Sequence, residues 1–432
     1  LAKNGDGSWK YWWHGLDPQE LYAQNHAHSS NWSDWGTIHN QWHWGNGVCP
    51  PSVPYMQKFQ NRVLQCIEKY SPDMLYFDDT VLPFYGASTN PDDLYSLNIL
   101  AHFYNHSAAK NGGQQQVVVT GKILNDMHKE AMLWDVERGI PGKCQDKPWQ
   151  TCTCIGGWHY GDTNYKSAAQ VIHMLVDIVS KNGNLLLSIP IRGNGTIDDQ
   201  ERRIVADITA WMKINSESIY GTRPWKVTGE GPLAKANAAL SGQGFNEGDN
   251  YSSSDVCFVQ KDGKVYATIM RWPNAGPYTL ESFAFASPYY SGKVKNVKLL
   301  GYGNVDFTAD LDGVTFNIPK THPNEISPVF EFTFEDAEAA SYESLQELIQ
   351  MIEQKMGGFI ETANYNTGKY SPYAVDKFQQ QLAAAKNIGQ DATPEQLTKA
   401  INAIREAYTN FRDNGKNKGG ALTSTGTDIT VS

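Results

Sequence analysis

Up to about residue 224 the chain alternates short apolar runs with amphipathic stretches, and this alternation constrains the fold more than any other feature. Tyr55, Phe59, Val63, Cys66 and Ile67 recur at helical spacing and lead into the apolar run Met74 to Phe77. Leu94, Leu97, Leu100, Ala101, Tyr104 and Ala108 predict a second helix, which Gly112-Gly113 breaks. Val117 to Thr120 and Ala131 to Trp134 predict two further strands. Val171, Ile172, Leu175, Ile178 and Val179 share one helical face that stops at Asn182-Gly183, after which Leu185 to Ile189 reads as a strand buried on both faces. Ile204 to Ile214 predicts the last helix of the series. Strand and helix in succession imply an α/β fold with a parallel sheet. A complete (β/α)8 barrel takes about 250 residues, and only four or five units are visible, while the first 50 residues read as loop rich in Trp, Asn, His and Gly. The expectation for residues 1–224 is the second half of a TIM-like (β/α)8 barrel, its early strands supplied by a missing N-terminal segment or a second chain.

From 225 to 335 the texture changes to short β-rich runs such as Val256 to Gln260, Val265 to Arg271 and Val314 to Ile318, separated by Gly, Asn and Pro turns. That pattern predicts an antiparallel β-sandwich. From 336 to 412 three amphipathic patterns follow, on Leu345, Leu348 and Ile352, on Val375, Phe378 and Leu382, and on Leu397, Ile401 and Tyr408, which predict a small three-helix bundle. Residues 413–432 are polar and rich in Gly, Thr and Ser, and read as a linker or tail.

A net charge of −10 without any long Lys/Arg block argues against nucleic acid or an anionic membrane as partner. Aromatic residues make up 12% of the chain, with Trp9, Trp12, Trp13, Trp32, Trp35, Trp42 and Trp44 crowding the opening stretch; such rings suit either sugar faces or large cores. No apolar run approaches the ~20 residues of a membrane span. The six Cys are too sparse for a disulfide framework, although Cys144, Cys152 and Cys154 lie close enough for one local bridge. His159 beside those cysteines and the pair His26 and His28 do not make a metal site, and no metal or cofactor is expected.

Acids stand at two of the expected strand ends. Asp78 and Asp79 close the run Met74 to Phe77, and Glu137 follows the run Ala131 to Trp134. Acids at the carboxyl ends of barrel strands face the mouth where chemistry occurs. Because side chains alternate, Asp78 and Asp79 cannot both point there. Two acids on separate strand ends fit glycoside hydrolysis, one attacking the anomeric carbon and the other protonating the leaving oxygen. Trp134, Trp149 and Trp158 around Glu137 would desolvate it, as a general acid requires. Asp135 and Glu130 remain rivals for that second role, and an ion pair with Arg138 remains open for Glu137 itself.

These residues resemble a known family. Pro72-Asp73-Met74-Leu75-Tyr76-Phe77-Asp78 is similar to the nucleophile strand of α-L-fucosidases of glycoside hydrolase family 29. Trp12-Trp13-x-Gly15-Leu16-Asp17-Pro18, the stretch Glu137-Arg138-Gly139 with Pro148-Trp149-Gln150-Thr151 and Ile155-Gly156-Gly157-Trp158-His159-Tyr160, and Asn182-Gly183-Asn184-Leu185-Leu186-Leu187 extend the resemblance over about residues 9 to 225. The resemblance implies a retaining exo-α-L-fucosidase acting on fucosylated oligosaccharides or glycoconjugates, with Asp78 as nucleophile, Glu137 as acid/base, and Trp158, Lys122 and His159 contacting the sugar. Lys122 stands where the family often has Arg. The family's His-rich stretch on the early strands has no match here. Tyr370-Ser371-Pro372-Tyr373 and Ala383-Ala384-Ala385 resemble a FIVAR-type module of secreted carbohydrate-active proteins, which implies a location outside the cell. The open alternatives are a catalytically inactive carbohydrate-binding or adhesion protein, and a glycosidase of other specificity on the same barrel.

Overall fold

The structure is a computed structural model that describes residues 4–6, 8, 53–78, 93–122, 124, 126, 128–161, 164–233, 246–247, 250–335, 340–418, 422–425 and 428–431. The Trp-rich opening stretch, His26, His28 and Asp79 lie outside the described residues.

Five parallel strands form one sheet in sequence order, β1 Met74–Phe77, β2 Val118–Gly121, β3 Leu133–Glu137, β4 Trp149–Cys154 and β5 Gly183–Ser188. Helices α1 Val53–Tyr70 and α2 Asp93–Lys110 precede β1 and β2, and α3 Ala168–Ser180 and α4 Asp199–Asn215 flank β5, but among the described residues no α-helix separates β2, β3 and β4, so the expected strand-helix alternation is interrupted there. Ile67, Ile99 and Phe103 of the first two helices pack on Phe77 and Val119, and Met174 and Ile178 of α3 pack on Val136 and Trp149. Gly183 opens β5 because a Cβ there would stand 2.5 Å from the Trp149 ring.

Two strands depart from the sequence reading. The third begins at Leu133, two residues into the apolar run, and continues past it, so that Asp135 and Glu137 are part of the strand and not of its exit loop. The fourth, Trp149–Cys154, has no apolar signature, yet all six of its residues are buried. Its polar side chains are satisfied across the sheet, Gln150 Nε2 donating to Asp135 at 2.8 Å and Thr151 Oγ1 to Val136 O at 2.8 Å, which removes the penalty that hydropathy alone would assign. Cys144, Cys152 and Cys154 are all free, so the local disulfide is absent.

Beyond the parallel sheet, β6 Arg223–Glu230, β7 Val256–Lys261, β8 Lys264–Ile269, β10 Val294–Leu299, β11 Gly303–Asn304 and β14 Val329–Phe334 form an antiparallel sheet in the order β11-β10-β14-β8-β7-β6. A smaller sheet of β12 Phe307–Ala309, β13 Val314–Ile318 and β9 Gly276–Leu280 faces it. Phe258, Phe316, Phe330 and Phe332 fill the space between, each buried. The fully buried Trp211 of α4 joins Ile172, Val259, Tyr266 and Val329 in a separate cluster, and its Nε1 donates to Ser327 O at 2.9 Å. This apolar contact fixes the antiparallel unit against the helices of the parallel one.

Helices α5 Tyr342–Thr362, α6 Pro372–Lys386 and α7 Pro394–Asn414 share a core of Leu348, Ile352, Phe378, Ile404 and Tyr408, which rests on Ala286 and Leu311. Ser341, Ser371 and Thr393 cap their N-termini through the side-chain oxygen. The tail is not a plain linker, since Leu422–Thr425 and Asp428–Val431 pair antiparallel. Among the described residues no helix is long and apolar enough to cross a membrane.

Candidate active site

Register and alternation decide which side chains meet. Tyr76 of β1 and Asp78, which immediately follows the strand, share a face, as Asp135 and Glu137 do in β3, and Lys122 immediately follows the β2 residue Gly121 that pairs with Phe77. The three strand ends therefore bring Asp78, Lys122 and Glu137 together. Lys122 Nζ donates to Asp78 Oδ1 at 2.6 Å and to Glu137 Oε2 at 3.2 Å. Laid end to end, 2.6 and 3.2 Å limit the separation of those two oxygens to about 5.8 Å. The Lys122 side chain is 4% exposed and that of Glu137 15%, whereas Asp78 is open to solvent at 62%. Burial pulls the Lys122 ammonium down, but the bond to Asp78 and the nearby charge of Glu137 outweigh it, so its pKa ends above the ordinary lysine value.

One residue pair deeper lies a second polar set. Tyr76 Oη donates to Asp135 Oδ2 at 2.7 Å, spanning from β1 to β3, while Gln150 holds the other carboxylate oxygen. Asp135 is 1% exposed. Burial raises its pKa against the pull of its bonds to Tyr76 and Gln150. Burial likewise pushes the neighbouring Cys152 thiol up to about 12. Asp135 thus serves as a buried acceptor in the floor. Glu130, the other rival to Glu137, is exposed and pairs with Lys147 at the opposite end of the strand.

The other two residues picked out by sequence lie on the exposed segment after β4. Trp158 is 41% exposed, with the Arg138 guanidinium 5.3 Å from its ring centroid, and His159 is exposed. Among the described residues neither shares a hydrogen bond with Asp78, Lys122 or Glu137. Tyr76, Gln150 and Glu247, whose carboxylate accepts from Thr153 Oγ1 of β4 at 2.6 Å, escaped the sequence reading. Tyr76 was reachable, since it stands two residues before Asp78 and must share its face. Glu247 had no such signal, for it comes from a Gly- and Asn-rich connection 110 residues beyond Glu137 in the chain. Among the described residues no group of His, Cys, Asp and Glu is arranged to hold a metal ion.

The family model described as Alpha-L-fucosidase matches residues 10–217, and the model described as Alpha-L-fucosidase C-terminal domain matches residues 249–335. Both matches are to alpha-L-fucosidase models, which supports a place for the chain among the alpha-L-fucosidases, a family of glycoside hydrolases. The first match contains the whole parallel sheet with Asp78, Lys122 and Glu137, and the second covers most of the antiparallel unit. Among curated relatives, the tissue alpha-L-fucosidase of Rattus norvegicus is 27% identical over 267 residues, covering 60% of this chain and 50% of its own length. The alpha-L-fucosidase of Dictyostelium discoideum is 24% identical over 330 residues, covering 70% of this chain and 63% of its own. The chain thus spans about half the length of the first curated relatives it matches. Among solved structures, alpha-L-fucosidase isoenzyme 1 from Paenibacillus thiaminolyticus is 24% identical with a TM-score of 0.48, covering 66% of this chain and 64% of that one.

Proposed function

We propose that this chain carries the two catalytic carboxyls of a retaining exo-α-L-fucosidase that releases terminal L-fucose from fucosylated glycans. The observation that carries the reading is the Lys122 bridge. It limits the two bonded carboxylate oxygens to about 5.8 Å, close to the ~5–5.5 Å of retaining glycosidases and short of the ~6.5–9.5 Å that leaves room for water in inverting ones. In the proposed sequence the exposed Asp78 attacks the anomeric carbon while Glu137 protonates the departing oxygen. A covalent fucosyl ester on Asp78 forms and the aglycone leaves. Glu137, now a carboxylate, takes a proton from water as that water attacks the same carbon, which frees Asp78 and restores Glu137. Lys122 orients both carboxylates and is well placed to meet a sugar hydroxyl. Trp158 supplies an apolar wall, and His159 lies on the same exposed segment at the rim.

In this reading the five strands are the second half of a (β/α)8 barrel over residues 1–224. Residues 225–335 act as a β-sandwich module, and 336–412 as a FIVAR-like bundle of a protein working outside the cell. Turnover of an aryl α-L-fucoside by the full-length protein tests the activity, and none at all would sink the proposal. Nuclear magnetic resonance of the first-formed sugar tests the stereochemistry: α-L-fucose is expected, and β-L-fucose would refute retention. Asp78→Gly should abolish turnover, with azide restoring part of it as fucosyl azide.

A further inference from the structure

The connection between β6 and β7 runs from residue 231 to residue 255, although β-hairpin loops usually need about 2–5 residues. Two of its residues return to the parallel sheet and grip the turn that follows Glu137. Asn246 brackets Ile140, its Oδ1 accepting from Ile140 N at 3.0 Å and its Nδ2 donating to Ile140 O at 3.1 Å. Glu247 N donates to Arg138 O at 3.1 Å. The Glu247 carboxylate accepts from Thr153 Oγ1 of β4 at 2.6 Å, pairs with Lys166 Nζ at 2.9 Å and lies 4.0 Å from Arg138 Nη1. Its side chain is 15% exposed.

What this grip holds is unusual backbone. Arg138 adopts φ +49°, a left-handed conformation that a side chain with a Cβ disfavours by roughly 1–2 kcal/mol. Such a residue persists where its surroundings over-determine it. Its carbonyl is held by Glu247, its N–H donates to Cys152 O at 2.9 Å, and its Nη2 donates to Gly156 O at 3.3 Å while the guanidinium lies over Trp158. The residue immediately before it is Glu137.

We infer that Asn246 and Glu247, carried by the β6–β7 connection, are positioning residues that fix the turn at 138–140 and thereby aim the Glu137 carboxyl at the glycosidic oxygen. The inference rests on Glu137 being the acid/base of the proposed fucosidase. It makes the antiparallel unit part of the catalytic machinery, acting through the backbone and not by touching substrate.

A misaimed general acid has a distinctive signature. Protonation matters in proportion to how poor the leaving group is, so a nitrophenyl fucoside tolerates a displaced acid and an alkyl or sugar fucoside does not. A loss of bulk stability or of active protein lowers both rates alike. The test compares full-length Glu247→Gln and Asn246→Ala with the unsubstituted protein on a nitrophenyl and on an alkyl α-L-fucoside, and follows amide hydrogen exchange in peptides covering 136–142. The expected result is a fall in kcat/KM of about tenfold on the alkyl substrate and under about twofold on the nitrophenyl one, with faster exchange confined to 138–140. Equal losses on the two substrates, or no loss on either, overturn the inference, as does unchanged exchange at 138–140. Absence of turnover by the unsubstituted protein overturns the fucosidase reading instead, and exchange then still judges the grip on the turn.

Discussion

Replacing Lys122 with Met removes one ammonium and keeps most of the stem, so the variant isolates the bridge from the packing beneath it. The two bonds it breaks are unequal. Asp78 is 62% exposed, and water screens and replaces much of what the ammonium supplies there. Glu137 is 15% exposed, so its bond to Lys122 is the one that counts. A hydrogen bond to a charged group contributes about 1.5–3 kcal/mol, and at ~1.4 kcal/mol per tenfold in rate this predicts a fall in kcat/KM of about 10- to 150-fold. The assay is hydrolysis of an aryl α-L-fucoside, with circular dichroism to confirm that the variant is folded. Lys122→Arg keeps the charge but not the single-point geometry and should lie between the two. Lys122→Met within about threefold of the parent protein would refute the bridge as an organiser of the site. The pH dependence adds a check. Because the folded-state pKa of Lys122 is raised, its contribution is fully present below the ordinary lysine value and is lost only as pH rises through the folded one. The stability difference between parent and variant should therefore stay flat from neutral pH to about 10.

Two further outcomes are expected. Asp135→Asn removes a buried carboxylate whose folded pKa is raised, so the parent protein carries an ionisation penalty above that value and none below the unfolded value near ~3.9; the variant should gain thermal stability relative to the parent as pH rises from about 3.5 to 8, and a difference independent of pH would contradict the account. Gly183→Ala forces a Cβ to 2.5 Å from the Trp149 ring and 2.7 Å from Ile178, both in the packed interior, and should destabilise the parallel unit by about 1–3 kcal/mol in chemical denaturation. An unchanged midpoint there would mean that β5 and α3 adjust more freely than their packing implies.

The elements with strong periodicity were legible in the sequence because burial and period agree. Val171, Ile172 and Ile178 are all buried on one face of α3, and Leu345, Leu348 and Ile352 do the same for α5. Strand β4 was illegible because Gln150, Thr151 and Thr153 look like loop residues until their partners Asp135, Val136 and Glu247 are in place. In the site, Asp78 and Glu137 stand out as acids at strand ends, whereas Lys122 enters only through the family resemblance, where it replaces an Arg. The pairing of the three through one ammonium needed the register of β1, β2 and β3, which no single segment encodes. Trp158 was picked for its chemistry, but its neighbour is Arg138, set by a positive-φ turn that hydropathy does not report.

The same geometry explains why the antiparallel unit is joined so firmly to the parallel one. A residue that steers an acid from 110 positions away can do so only if its own support does not drift. That support is the buried cluster of Trp211, Ile172, Val259, Tyr266 and Val329, with the Trp211 indole bonded to Ser327 O, which ties α4 and α3 to β7, β8 and β14. On the way from Glu247 to β7 the Tyr251 hydroxyl donates to Asp177 Oδ2 of α3 at 2.8 Å. The grip and the gripped turn are both tied to α3, the first through Tyr251 bonded to Asp177 and the second through Met174 and Ile178 packed on Val136. Strain at Arg138 is then sustained by the bonds of its own turn and, behind Glu247, by the buried cluster that joins the two units.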